Sequence, residues 1–227
     1  MAVAPEQELE EKWKREQGSL RQQLVEEDTE EWQRSQDFSG LERVGGVDLS
    51  FIKGDDVNAC AQLVVLSYPG LELLYEDSQM VTLSAPYIAG FLAFRETPCL
   101  LELLRRLEAT QPSLLPQVVL VDGNGLFHQR AEFGLACHLG VLSGLPCVGV
   151  AKNLLQVQGV AKSEEHVAQL SWLCSGVFLC GVLLTVSLRT VLPLATENCE
   201  SSAPLVTLLH DRLSSQRHGL RAPPGGR

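Results

Sequence analysis

The apolar positions change their spacing along the chain, and each change predicts an element. Residues 43–52 (Arg-Val-Gly-Gly-Val-Asp-Leu-Ser-Phe-Ile), 59–68 (Ala-Cys-Ala-Gln-Leu-Val-Val-Leu-Ser-Tyr) and 72–83 read as three strands. Short links carrying Gly54, Asp55 and Asp56, then Pro69 and Gly70, join them, which predicts an antiparallel meander. Ala85-Pro86-Tyr87 interrupts the pattern as a loop. Leu100, Leu103, Leu104 and Leu107 then fall on one helical stripe, which predicts a helix over 95–109. Residues 117–121 (Gln-Val-Val-Leu-Val) form a short strand of buried type that stops at Asp122-Gly123-Asn124-Gly125. A helix over 132–143 and a second buried strand over 146–151 (Pro-Cys-Val-Gly-Val-Ala) follow.

The order is three antiparallel strands, then helix, strand, helix, strand. Right-handed crossovers return the last two strands to the same sheet, so they lie parallel and the first strand lies beside the fourth. The class is therefore α/β, and the order suits a ribonuclease H-like mixed sheet. Residues 1–36 are polar, with Trp13 and Trp32 as large apolar anchors, and predict one or two amphipathic helices laid on a core of residues 37–157. Residues 158–227 read as a divergent tail that leaves the sheet truncated. Its stretch 167–188 holds 22 uncharged residues, long enough to span a bilayer, but Gln169, Ser171, Ser175, Thr185 and Ser187 argue against a membrane segment. The end, Ala222-Pro223-Pro224-Gly225-Gly226-Arg227, reads as disordered.

Charge narrows the function. There are 28 Asp and Glu against 18 Lys and Arg, a formal net charge of -10. Ten of the acids and five of the bases lie in residues 1–36. That balance excludes a protein gripping long nucleic acid by electrostatics alone. A phosphate-handling site here needs local basic groups or bound metal cations. The seven cysteines are odd in number and form no Cys-x-x-Cys pair, so a reducing compartment is expected rather than a disulfide framework. The acidic start lacks the basic and apolar runs of a secretory signal. An esterase elbow, a Walker loop and a dinucleotide fingerprint are all missing.

Three acids stand out. Asp48 lies inside an apolar strand, where a charge costs several kcal/mol unless paired or metal-bound. Alone, it also fits the solvent face of an edge strand. Glu96 opens the long helix, where an acid in the first turn is common for dipole reasons. Asp122 ends a buried parallel strand, where open α/β sheets place their sites, or else caps a turn. In the expected topology the three carboxylates converge, and such a cluster repels itself unless it holds a hard cation such as Mg²⁺. Lys152, at the end of the last strand, can balance that charge and touch a phosphate, or be a solvated strand end. His128 and Arg130 can meet a base or phosphate. His138 reads as a satisfied, partly buried histidine, and Cys137 and Cys147 as small core residues. Tyr87 is either a core cap or a wedge between bases.

Gly46-Val47-Asp48-Leu49-Ser50-Phe51, Pro86-Tyr87-Ile88-Ala89-Gly90-Phe91-Leu92-Ala93-Phe94-Arg95-Glu96, Asp122-Gly123-Asn124-Gly125 with His128, and Gly149-Val150-Ala151-Lys152 together resemble endonuclease V, over roughly residues 8–157. Asn124 is similar to vertebrate members. The resemblance implies a ribonuclease H-like fold and Mg²⁺-dependent hydrolysis, with Mn²⁺ as a substitute, at the second phosphodiester bond 3′ to inosine. The substrate it implies is inosine-containing RNA, single-stranded by preference, with deoxyinosine DNA as the bacterial counterpart. It implies Asp48, Glu96 and Asp122 as metal ligands and Lys152 as a catalytic charge stabiliser. It further implies Pro86, Tyr87, Ile88 and Ala89 as the wedge, and Gly90, Leu92, Gly123, His128 and Gly149 as the hypoxanthine pocket. Glycines suit close backbone reading of an extruded base. A monomer without organic cofactor or membrane partner, in cytoplasm and nucleus including the nucleolus, completes the expectation. Two departures stand beside it. The loop after His128 is one residue longer than the family's and carries Glu132, and no Val-Gly-His segment follows Val157. They motivate two alternatives: a catalytically impaired, splice-type variant that at most binds nucleic acid, and a tail-anchored form.

Overall fold

The computed structural model describes residues 5–35, 37–126, 133–151 and 183–185. Its centre is β1 (Arg43–Phe51), flanked by β2 (Asn58–Ser67) on one side and β4 (Val118–Asp122) on the other. The sheet order is β3-β2-β1-β4-β5-β6, where β3 is Leu73–Thr82, β5 is Cys147–Ala151 and β6 is Leu183–Thr185. β1, β2 and β3 pair antiparallel, β1, β4 and β5 pair parallel, and β6 closes antiparallel on β5. The meander and both crossovers thus follow the expected order. The sheet also takes β6 from the stretch set apart as the tail, and three residues of the uncharged run 167–188 lie in it. The rest of that run, and residues 186–227, lie outside the described residues.

The links explain the meander. Between β1 and β2 the Asp55 carboxylate accepts from the Val57 and Asn58 amides at 2.8 and 2.9 Å, which closes the turn without a long loop. The antiparallel register sets Val47 against Leu63 and Asp48 against Gln62. Because strand side chains alternate, one face carries Val47, Leu49, Ala61, Leu63, Val119 and Val121. α3 (Leu92–Thr110) and α4 (Leu135–Ser143) cover that face with Leu100, Leu103, Leu107 and Leu139. Trp32, Phe38 and Leu41 cover part of the other face, over Val44, Val64, Leu66, Val118 and Val148. β1 is buried on both faces from Val44 to Ser50, as a central strand between two layers must be.

The polar N-terminal segment forms α1 (Pro5–Arg21) and the single turn α2 (Glu31–Arg34). Its tryptophans part company. Trp13 stacks on Phe94 at the start of α3, with ring centroids 5.0 Å apart, whereas Trp32 joins the opposite sheet face. α3 begins three residues earlier than its leucine spacing predicts, because Leu92, Ala93 and Phe94 add a turn before Pro98. α4 begins at Leu135 rather than 132, after an extended Gly134, and ends on Gly144 in the left-handed conformation (φ 72°) that suits a glycine C-cap.

Candidate active site

Asp48 is 6% exposed on the central strand. The alternative of a solvent-facing edge position is therefore overturned, since strands flank β1 on both sides. The parallel register pairs Val47 with Val121, so Asp48 and Asp122 are the next residues on neighbouring strands. Asp122 is exposed at the carboxyl end of β4, where the sheet opens to solvent.

Glu96 is 8% exposed and is the fifth residue of α3, not a first-turn acid. The dipole account of its position fails for that reason. Burial first, then the charges of Asp48 and Asp122, push its carboxyl up to about 7, against the opposing pull of Arg95. Both aspartates thus act on one buried glutamate. Arg95 is itself buried and reaches away from it. Its Nη1 donates to the Ala85 carbonyl at 3.3 Å, its Nη2 to the Asp56 carbonyl, and its guanidinium lies 5.8 Å from the centre of the Phe51 ring. It ties the β1–β2 turn to the loop 83–91.

That loop carries the expected wedge. Pro86, Tyr87 and Ala89 are exposed, Tyr87 at 67%, while Ile88 is half-buried. Tyr87 is therefore not a core cap. Gly90 has φ 88°, which a side chain would strain, and turns the loop into α3. Leu92 lies one helical turn before Glu96. On the other side, the Gly123 amide donates to the Val150 carbonyl at 2.9 Å, beside Gly149. The turn after Asp122 is fastened to α4: the Asn124 carbonyl accepts from Ala136 at 3.0 Å and the Gly125 carbonyl from Gly134 at 2.9 Å. A Cβ on Gly134 would meet the Asn124 oxygen at 2.2 Å, so only glycine allows this approach. Glu96 and its two aspartates, the wedge loop and the turn at Gly123 lie at the carboxyl end of the parallel strands.

The endonuclease V family model matches residues 19–192. The chain belongs to the endonuclease V family. Mouse Endonuclease V is 51% identical over 219 residues, which is 94% of this chain and 62% of the mouse protein. The chain thus spans about three fifths of that relative's length. The crystal structure of the catalytic domain of human Endonuclease V is 43% identical, with a TM-score of 0.79, covering 96% of this chain and 100% of that one. Ciona intestinalis Endonuclease V (D234N), solved with a 23mer DNA containing an inosine followed by a ribo-adenosine, is 28% identical, with a TM-score of 0.76 over 96% and 100% of the two chains. The family match runs past residue 157, the expected limit of the resemblance, and takes in β6.

Within this family frame, the acids suit a hard, oxygen-ligated cation by type and by electrostatic need. Ser50, on the same face of β1 two residues from Asp48, keeps a buried hydroxyl without a hydrogen-bond partner among the described residues, as a water of a hydrated ion would satisfy. The acids are not a ready-made cage. Among the described residues no group of three or more His, Cys, Asp or Glu side chains is placed to hold an ion. The structure shows a shared field, so ligation calls for side-chain adjustment. Lys152, His128 and Arg130 lie outside the described residues, as does the lengthened loop with Glu132.

Two site-adjacent residues had weaker sequence signals. Arg95 stands in the first turns of a helix, where the dipole disfavours a cation, and that mismatch was the available signal. His138 is 3% exposed but not satisfied. It stands edge-on to Phe94 at 4.8 Å with Nδ1 unpartnered among the described residues, and burial pushes its pKa down to about 4. Cys137 is buried, with its thiol pushed up to about 11 by burial, as a core cysteine should be. Cys60, Cys99, Cys137 and Cys147 are free thiols.

Proposed function

We propose that this chain is a divalent-cation-dependent endonuclease that cuts nucleic acid beside inosine. The observation that carries the reading is the buried Glu96 under the joint field of Asp48 and Asp122. Family membership supplies the reaction class, and the inosine-containing DNA bound by the Ciona relative supports the base. The ribo-adenosine after that inosine supports RNA as the natural substrate, and the family resemblance supplies the proposed cut, at the second phosphodiester bond 3′ to inosine. Mg²⁺ is the proposed cation, with Mn²⁺ as a substitute, because carboxylate oxygens are its preferred ligands. The proposal includes a monomer in the cytoplasm and nucleus, nucleolus included; a reducing compartment suits Cys60, Cys99, Cys137 and Cys147, which are free thiols among the described residues.

Asp48, Glu96 and Asp122 would hold the cation. When bound, it lends Lewis-acid stabilisation to the charge that grows on the phosphate and activates the attacking water. The protein's own part is positional. Arg95 fixes the loop that presents Tyr87, so an unpaired base can be lifted clear of its neighbours. Gly123 and Gly149 carry no side chain, so the edge of that base could approach the backbone closely there. Lys152, the residue after β5 in the sequence, would supply the positive charge for the phosphate.

A second reading has its own observation: the three acids are not set as a ligand cluster. On that reading the chain binds nucleic acid without cutting it. Incubation of the purified full chain with single-stranded RNA holding one inosine separates the two. Cleavage with Mg²⁺, none with EDTA, and none with Asp48→Ala supports the nuclease. Intact RNA beside a protein that melts cooperatively supports the binder.

A further inference from the structure

The loop and the acids account for a base and a phosphate, but they leave Phe51 unused. Phe51 is the last residue of β1 and is 41% exposed. Alternation from Leu49 places it on the α3 side of the sheet, one step beyond the buried run. A lone exposed phenylalanine is ordinary on a protein surface. This one is not loosely held. The buried Arg95 guanidinium stands 5.8 Å from its ring centre and is itself anchored to the Ala85 and Asp56 carbonyls. The cation backs the ring, and the ring keeps its remaining surface to solvent. Val57, across the turn, is exposed beside it, and the Val57 carbonyl accepts from the Leu83 amide at 2.8 Å as the loop begins. Phe51 therefore stands at the carboxyl end of β1, three residues beyond Asp48 and on the opposite face of the strand, and Arg95 links it to the loop that presents Tyr87.

We propose that Phe51, braced by Arg95, is a stacking platform for an unpaired nucleobase of the substrate strand flanking the cut. The inference rests on the nuclease reading above and extends it to how the strand is held. Charge argues for this occupant. The chain carries a net charge of -10, so phosphate neutralisation is a weak source of affinity. Stacking on an aromatic face works for any base and does not depend on net charge. A ring already fixed by a buried cation loses little freedom when a base lands on it. Two exposed aromatics, Tyr87 and Phe51, joined through one arginine, would then grip the strand on either side of the extruded base.

The test uses the full chain in EDTA and single-stranded RNA with one inosine and a 2-aminopurine at either of the two nucleotides 3′ to it. Anisotropy gives affinity, and 2-aminopurine quenching reports stacking directly. Phe51→Leu keeps apolar bulk but has no ring, and Phe51→Tyr restores one. We expect wild type and Phe51→Tyr to quench the probe and bind alike. Phe51→Leu should lose the quench and bind about five- to a hundred-fold more weakly, with an unchanged melting transition. Equal binding by Phe51→Leu, or weaker binding without loss of quench, overturns the platform while the nuclease reading stands. A folded wild type that neither binds nor cuts the RNA overturns both. Should Phe51→Leu melt early, Phe51→Trp decides: a retained or deeper quench supports the platform, and a lost one rejects it.

Discussion

The two halves of α3 are built on opposite terms. From Leu100 to Leu107 the helix buries Leu100, Leu101, Leu103, Leu104 and Leu107, and turns Glu102, Arg105 and Glu108 outward. From Ala93 to Thr97 it buries Arg95, Glu96 and Thr97, whose hydroxyl has no partner among the described residues. Pro98 stands near the division and offers no amide to the turn behind it. Apolar burial stabilises at roughly 25 cal/mol per Å², whereas a buried charge beside like charges costs free energy. The second half therefore anchors the helix, and the first half is held in an unfavourable state by that anchor. Such a division is what a site for a cation requires, because ligands that repelled nothing would gain little from binding one.

The largest expected effect falls on the first half. Asp48→Ala should take RNA cleavage below detection. In EDTA at pH 7.5 it should leave the urea midpoint level or higher, since one charge that opposes ionisation of Glu96 is gone. A protein that loses activity and stability together would show that Asp48 supports the fold and not a cation. Leu103→Ala probes the other half. Leu103 is fully buried between α3 and the sheet, so its truncation should cost about 2–5 kcal/mol in chemical denaturation. A cost no greater than that of a surface substitution would remove the contrast between the halves.

Most of this helix was legible, and its position explains what was not. The leucine stripe has a period, so the sequence pattern finds the anchoring half. The functional half has none: Phe94, Arg95 and Glu96 follow one another, and only the packing of Trp13 on Phe94 and of Arg95 beneath Phe51 gives each its place. Asp48 was visible because a charge breaks an apolar run, but its burial depended on β4 pairing beside it, a contact across about seventy residues of chain. The order of the strands followed from local links and the handedness of crossovers. β6 could not be found that way, because Leu183–Thr185 sits in a long apolar stretch with no alternation to mark a strand. His138 was misread in one respect. Its spacing fits a helix, yet nothing in the sequence says that the rings of Phe94 and Phe133 would surround it.

A pH series sharpens the comparison further, because the functional half faces two buried groups displaced in opposite directions. Glu96 is raised from 4.5 to about 7 when folded, so its contribution is full below pH 4.5 and is lost as pH rises towards 7. His138 is lowered from 6.5 to about 4, so its contribution is full above pH 6.5 and is lost as pH falls towards 4. Each displacement corresponds to about 3 kcal/mol. Between pH 4.5 and 6.5 the two slopes offset, and the cation-free chain should show a plateau of stability. Glu96→Gln should replace the plateau with a loss on acidification, and His138→Gln with a loss on alkalinisation. Urea unfolding in EDTA at half-unit steps reads all three profiles. Added Mg²⁺ should stabilise more at pH 8 than at pH 5.5, where Glu96 keeps its proton. Parallel profiles for wild type and Glu96→Gln would mean that the carboxyl is not held neutral at all.

The smallest expected effect lies where the anchoring half meets water. Arg106 of α3 approaches Asp77 of β3 at 2.8 Å between Nε and Oδ2, an ion-pair distance without the alignment of a hydrogen bond. Its Nη2 donates to the Gln79 Oε1 at 3.1 Å, and the Tyr75 hydroxyl donates to Asp77 at 3.2 Å. The arginine side chain is more than a third exposed, so water screens the pair. Arg106→Ala should therefore cost less than about 1 kcal/mol, less again in high salt, and should leave RNA cleavage unchanged. β3 exposes Leu73, Leu74 and Met80 along its length, so the network does little to bury that edge strand. A loss as large as that of Leu103→Ala would place part of the anchor in this polar contact. The strain borne by Glu96 would then be opposed by charges at the far end of the same helix, and salt would weaken the fold where it is now expected to leave it alone.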